Sequence, residues 1–408
     1  MLDAFLGNMA TVIVSLLSFL VMLPLIVFIH ELGHFQTGRL FGIRIDAFSI
    51  GFGPTIRAWS DRHGTIWKLC AIPLGGYVKF FGDANAASAG TAPENATGTT
   101  QFGSERERLE NALSEKDKRD CFHFRPVWQR AAVVAAGPMA NFVLAAFLLA
   151  AILMAFGRLT VEPVVGQVIE DSAAAEAGFE PGDRILALNG ATVRSFDTMA
   201  SRVKLSSGDE LTFRIERDGE TLELEATPRR VTQTDGFGNT IEAGQLGISA
   251  DPRYVTRTRF GPLQAGVEGV REVGRIIGMT ARYFSRLVTL REDPSQIGGP
   301  VRIAQFAGQA ASSGFQPADD VSIWDRIATS GANFFQVAAL ISISVGFLNL
   351  LPVPVLDGGH LLFYGYEAVA GRPMNETVQA GLFRLGLAVV GSLIVFVLIN
   401  DVLHLMQS

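Results

Sequence analysis

Charge is missing from this chain in four long blocks, and that absence restricts its fold more than any other feature. Thr11 to Ile29 contains no Asp, Glu, Lys or Arg. Arg130 and Arg158 bracket a second uncharged block, Arg326 and Asp357 a third, and Arg384 and Asp401 a fourth of 16 residues. A bilayer core of about 30 Å takes roughly 20 apolar residues as a helix, and about 17 at the least. The first three blocks reach that length. Leu382 and Phe383 extend the fourth, and Arg384 can snorkel to the interface. Charged residues make up only 18% of the chain and hydrophobic ones 48%, where soluble domains carry roughly 25% charge. A net charge of −6 supplies no basic field for nucleic acid. Two cysteines, Cys70 and Cys121, exclude a disulfide-dense secreted scaffold. The expected fold is a polytopic α-helical membrane protein with four transmembrane helices.

The first block lacks the basic flank and the small-residue cleavage site of a signal peptide, so it reads as a retained span. Four spans place both termini on one side. Residues 35–130 hold thirteen Lys and Arg, while the first ten residues and the tail after Asn400 hold none. Basic residues in short loops favour the cytoplasm. Both termini and the long region 158–326 are therefore expected outside, in the periplasm of a Gram-negative cell, and residues 35–130 inside.

Between the first two spans the period changes. IRIDAFSIGFG, GTIWKLCAI and GGYVKFFG are short β-rich runs punctuated by glycine. Phe52, Trp67, Tyr77, Phe80 and Phe81 give them an aromatic surface. Two readings fit: a small cytoplasmic β-domain, or a sheet lying against or dipping into the membrane beside the first span. Residues 84–125 read as a flexible cytoplasmic insertion. The Asn95-Ala96-Thr97 glycosylation pattern is discounted on that face.

The outer region opens with an α+β module. Strands are expected at 164–169, 184–188, 211–217 and 221–226, and helices at 173–177 and 196–203. Asn189-Gly190 and Asp218-Gly219 supply the turns. Residues 260–291 have helical spacing with arginines at 271, 275, 282 and 286. This segment is either an interfacial helix near anionic headgroups or a helix packed on the outer domain.

The sharpest motif is His30-Glu31-Leu32-Gly33-His34. Histidines four apart share a helix face and can reach one ion, which zinc accepts at about 2.0–2.1 Å. Glu31 beside them can take a proton from a water activated there. Ionisable groups continuing an apolar span are costly and usually functional. A hydrolytic zinc needs a third protein ligand. Asp357, at the end of the third block, is the leading candidate, and His360 its rival. Pro352 and Pro354 break the helix before it and free backbone near the site. Asn349 is a candidate to hydrogen-bond a substrate carbonyl or oxyanion. His63, His123 and His404 stand alone and read as ordinary polar residues.

With these residues in hand, the chain resembles the site-2 protease family of intramembrane zinc metalloproteases, and within it the bacterial RseP-type enzymes. His30-Glu31-x-x-His34 resembles that family's zinc motif. Asn349-x-x-Pro352-x-Pro354-x-Leu356-Asp357-Gly358 resembles its second signature. Gly137-Pro138-x-x-Asn141 in the second span, Gly75-Gly76-Tyr77-Val78-Lys79, and Gly299-Pro300-x-x-Ile303-Ala304 resemble further elements. The stretch Gly166 to Gly190 is similar to its PDZ module. The resemblance implies one Zn2+ held by His30, His34 and Asp357, with Glu31 as catalytic base. It implies cleavage of transmembrane segments of single-span substrates, such as anti-sigma factors and remnant signal peptides, after an upstream site-1-type protease has trimmed them. It also implies residence in the bacterial inner membrane, with the zinc site toward the cytoplasm. Family members often carry two PDZ modules; only one signature stands here, and residues 234–260 are too few for another.

The expected organisation is a first span with the zinc motif (1–38), a membrane-associated β-hairpin or sheet (39–83), the insertion (84–125) and a second span (126–158). An inserted extracytoplasmic PDZ domain (159–256), a periplasmic or interfacial helical region (257–326), a third span carrying the third ligand (327–360) and a fourth span with tail (361–408) follow. Two other classes fit less well. A noncatalytic PDZ-containing membrane scaffold needs a missing Glu31 or third ligand, and neither is missing. A zinc transporter needs polar residues along several spans, and three of the four are nearly devoid of them.

Overall fold

A computed structural model describes residues 2–82, 110, 113–234, 240–289, 299–315 and 322–407. Residues 84–109 and 111–112 of the expected insertion, the Asn95 pattern within them and the side chain of His404 lie outside the described residues. The chain divides into two units, residues 153–262 and the remainder on either side of them.

The larger unit begins with helix α1 (Leu2–Leu40). Its residues Val12, Ile13, Leu16, Leu17 and Val21 are exposed, as expected of a helix whose solvent is lipid. Two long strands follow, β1 (Ile45–Ser60) and β2 (Ile66–Phe80). Each bends midway, β1 at Gly51 and Gly53 and β2 at Gly75, all three with positive φ, where glycine alone carries no Cβ penalty. Ala47 pairs with both Lys79 and Ile66, and Phe48 with both Val78 and Trp67. The halves of the two strands therefore lie side by side as four segments of one sheet, in the order 54–60, 66–70, 45–50, 76–80. It is fastened to α1 by aromatic side chains. Phe48 meets Phe28 and Phe35 edge-on at 5.8 and 5.2 Å and stacks on Trp67 at 4.4 Å. At the far turn Asp61 accepts hydrogen bonds from Arg39, the Trp67 indole and the amides of His63 and Thr65.

The C-terminal end of the expected insertion is structured from Ser114, which caps the short helix α2 (Glu115–Asp120). A 3-10 turn, Phe122–Phe124, follows and docks Phe122 on Phe80. Helix α3 (Val127–Phe156) is next, with Pro138 inside it.

The smaller unit is α+β. Strands β3 (Arg158–Val161), β4 (Val165–Val168), β5 (Arg184–Leu188) and β6 (Ala191–Thr192) alternate with helices α4 (Ala173–Glu176) and α5 (Phe196–Leu205). They are followed by β7 (Leu211–Arg217), β8 (Glu220–Ala226), β9 (Arg229–Thr234), β10 (Thr240–Gln245), β11 (Ile248–Ala250) and β12 (Val255–Thr258). A four-stranded sheet of order β6-β5-β7-β8 is flanked by the pairs β11-β4, β12-β3 and β10-β9. Asn189-Gly190 and Asp218-Gly219 have positive φ at both positions, the geometry of tight hairpin turns. The core collects Val165, Phe179, Ile185, Met199, Phe213 and Ile215. Asp183, 1% exposed, is held at 2.7 Å by two nitrogens of Arg217.

The larger unit resumes with α6 (Pro262–Val288), α7 (Pro300–Ser312), α8 (Ile323–Asn349), α9 (Asp357–Ala370) and α10 (Glu376–Gln407). One face of α6 packs on the spans, with Val273 among Ala145, Ala339 and Ile343. Arg271 and Arg275 pair with Glu268 and Glu272 on its surface. Asp401 near the end of α10 accepts from the amides of Gly299 and Val301, each at 3.0 Å, and so caps α7. The segments Val12–Leu40, Val127–Phe156, Ile323–Asn349 and Thr377–Asp401 are each long and apolar enough to cross a bilayer, as in a multi-pass membrane protein. One boundary differs from the sequence reading. The third span ends at Asn349, and Asp357 opens the separate helix α9. Pro352 and Pro354 cause this, because neither offers an amide to continue the ladder.

Candidate metal centre

His30 and His34 lie one turn apart on α1, and Asp357 is the first residue of α9. Their ligating atoms all fall within 4.8 Å of one another, the one such group of three among the described residues. His30 Nε2 lies 3.2 Å from His34 Nε2 and 3.2 Å from Asp357 Oδ2, and His34 Nε2 lies 3.6 Å from that oxygen. Ligands at about 2.0–2.1 Å from a tetrahedral zinc stand roughly 3.3–3.4 Å apart. The three atoms therefore outline one face of such a tetrahedron. Each residue is 8–9% exposed, and Asp357 Oδ2 is buried with no hydrogen-bond partner. Two imidazoles and a carboxylate converging on one point, with an orphaned oxygen among them, fit a zinc ion.

The turn before α9 explains how Asp357 arrives there. Val353 donates to Leu351 and Leu356 to Val353, at 2.7 and 2.8 Å. Gly358 and Gly359 lie against the backbone of Leu350, Leu351, Val353 and Pro354, where no Cβ has room. An acid at a helix N-terminus also gains from the macrodipole.

Helix α3 lines the other side. The Val133 carbonyl lies 2.9 Å from His34 Nδ1, and the Asn141 amide 3.2 Å from His30 Nδ1. Asn141 is fully buried. Its own carbonyl accepts from Ser342 of α8 at 2.9 Å. Gly346 of α8 crosses α3 there, its missing side chain 3.1 Å from the Pro138 carbonyl and 3.3 Å from Asn141 Cβ. Small residues allow such close approach between membrane helices.

Glu31 is adjacent to the three donors but is not one of them. Its side chain lies along Gly76, whose absent Cβ would stand 3.2 Å from Glu31 Cγ, and the Val78 amide is its backbone hydrogen-bond partner. The strand 76–80 thus runs beside Glu31.

The rival ligand His360 is outside the donor group; its ring meets Phe363 instead. Asn349 stands in the last turn of α8, where its Nδ2 donates to the Val345 carbonyl at 3.0 Å. The amide of His63 bonds Asp61, and the ring of His123 meets Phe122. Sequence reasoning missed Val133, which acts through its backbone and leaves no compositional trace. Its spacing of four from Gly137, and of eight from Asn141, was the available signal.

A model of peptidase family M50 matches residues 18–393. The Agrobacterium fabrum protein named "Putative zinc metalloprotease Atu1380" is 43% identical over 389 residues, 95% of each chain. A Brucella suis relative bearing the same zinc metalloprotease description is 40% identical over 402 residues, 98% of each chain. The metalloprotease MmpA of Caulobacter vibrioides is 39% identical over 395 residues, again 95% of each.

Proposed function

The chain belongs to peptidase family M50 and is a zinc metalloprotease, and from that premise we propose that it cuts peptide bonds inside the membrane, with one Zn2+ held by His30, His34 and Asp357. The observation that carries this is the meeting of those three side chains at the end of a membrane-spanning helix. The ion, when bound, supplies Lewis acidity toward water and toward a peptide carbonyl.

The protein's own residues supply the rest. Glu31, beside the donors yet outside their set, takes the proton of the attacking water and returns it to the leaving amide nitrogen. Asn349 gives up its bond to Val345 to hold the substrate carbonyl through its Nδ2. A substrate helix must unwind before its carbonyls can be reached. The strand 76–80 pairs on one side with 45–50 and runs past Glu31, so it is the natural place for an unwound substrate to add as a further strand. Gly137, Pro138, Pro352 and Pro354 shape the walls.

In this reading the sheet is membrane-associated, and the smaller unit is a PDZ-type domain that screens substrates by size in the periplasm. The enzyme resides in the bacterial inner membrane with both termini periplasmic and the zinc site toward the cytoplasm. Its substrates are single-span proteins already shortened by a site-1-type protease, with anti-sigma factors and remnant signal peptides as the favoured classes.

The test pairs zinc content with cleavage of a tagged single-span substrate by purified wild type and Glu31→Gln in detergent. Wild type should bind about one zinc and cut within the span, and the variant should keep zinc without cutting. Equal cutting by the variant would remove Glu31 from its role. A wild type that takes up no zinc and never cuts would favour a noncatalytic scaffold.

A further inference from the structure

Val133, Gly137 and Asn141 recur every four residues on α3 and share one face of it. That stripe touches both histidines, Val133 and Asn141 at the Nδ1 atoms and Gly137 along the His34 ring. The Val133 carbonyl is 2.9 Å from His34 Nδ1, and Gly137 leaves space for the His34 ring. Asn141 approaches His30 Nδ1 at 3.2 Å through Nδ2, while its Oδ1 is buried without a partner.

The chemistry of ligation conflicts with that amide orientation. A neutral imidazole offering its Nε2 lone pair to a metal keeps its proton on Nδ1. His34 then donates Nδ1–H to the Val133 carbonyl, as its geometry allows. His30 must likewise donate from Nδ1, yet it faces an NH2 group. The two ends of a carboxamide have nearly the same shape. A half-turn about the terminal bond places Oδ1 on the His30 proton, so that this oxygen gains a donor.

We propose that this stripe of α3 sets the tautomer of both histidine ligands: the Val133 carbonyl and the Asn141 side-chain oxygen accept the two Nδ1 protons, which leaves both Nε2 lone pairs facing the metal. Asn141 is thus a positioning residue acting through His30. The proposal rests on the zinc reading above and adds a defined role for α3 to it. Such partners typically change metal affinity 10–100-fold.

The test uses the full chain in detergent, in a Glu31→Gln background so that no proteolysis enters the readout. Zinc content, the rate of zinc loss to a chelator, and the visible spectrum of the Co2+-substituted protein are compared for the parent, Asn141→Asp and Asn141→Leu. Aspartate can only accept at this position, so Asn141→Asp should hold zinc as the parent does and keep its cobalt spectrum. Asn141→Leu should release zinc about 10–100-fold faster. Zinc loss from Asn141→Asp as fast as from Asn141→Leu would show that the amide donates, and would overturn the proposal. So would a leucine variant that retains zinc like the parent. If the leucine variant does not fold, the aspartate variant decides alone. A parent that takes up no zinc would overturn the zinc reading itself, and this is seen before position 141 is touched.

Discussion

Gly137 and His34 are placed so that the first has no side chain because the second occupies its space: a Cβ at 137 would stand 2.5 Å from His34 Cε1 and 2.9 Å from Cδ2. Gly137→Ala should therefore displace the imidazole and lower zinc retention by about 10–100-fold. Alanine is the better helix former by about 1 kcal/mol, so α3 itself should not suffer. Metal analysis together with a helix-content measurement checks this. Full zinc retention in the variant would mean that the helices can part without cost.

Arg130 of α3 and Glu367 of α9 form an ion pair at 2.6 Å, with both side chains nearly buried. Arg130 also lies over the Tyr364 ring. The pair ties the helix that contacts His34 to the helix that begins with Asp357. Removing one partner strands a buried charge, which costs about 3–5 kcal/mol. Glu367→Gln should lower the thermal midpoint in detergent, and the double variant Arg130→Met/Glu367→Leu should recover much of the loss. A double variant as unstable as the single one would rule out stranded charge as the cause.

In the smaller unit, Asp183 is far more buried than its partner Arg217. It also accepts from the Glu180 amide at 2.9 Å. Arg217→Ala should destabilise this unit by about 3–5 kcal/mol, because it removes the partner of a buried carboxyl group. Limited proteolysis of the intact protein should then cut within residues 153–262 sooner than in wild type. Cleavage at an unchanged rate would contradict the estimate.

Asp61 gives a pH dependence. Burial alone would raise its carboxyl, but the Trp67 indole, the His63 amide, Arg39 and the Thr65 amide outweigh it and hold the group at about 2, from an ordinary 3.8. A group depressed on folding contributes its stability fully above the unfolded value and loses it as pH falls through the folded one. The β1–β2 turn should thus stay closed down to about pH 4 and loosen toward pH 2. Fluorescence of Trp59 and Trp67 reports it, and Asp61→Asn should abolish that acid transition. A transition that persists in Asp61→Asn would assign it to another group.

The parts legible in the sequence were those with a local cause. Uncharged blocks mark bilayer-crossing helices because lipid tolerates no unpaired charge. Asn189-Gly190 and Asp218-Gly219 announce their turns because few other residues accept positive φ. His30 and His34 read as a pair because one helical turn joins them. Asp357 was legible only through its neighbourhood of prolines, and its assignment to the third span went astray because prolines reveal a break but not the new helix beyond it. The double pairing of β1 and β2 was hidden, since Gly51 and Gly75 look like hairpin ends and prove to be bends within one strand. Strands β9 to β12 lack a clean alternation and escaped notice. The Val133 carbonyl left only its helical spacing from Gly137 and Asn141 as a signal, since every residue has a carbonyl.

Asp357 lies 323 residues after His34. During synthesis the two histidines reach the membrane while most of the chain, including the whole smaller unit, is still unmade. A metal centre drawn, as proposed, from the first and last quarters of the chain is incomplete for most of its translation. On the proposed ligand set, a product stalled before Asp357 carries two of the three metal donors and lacks the third.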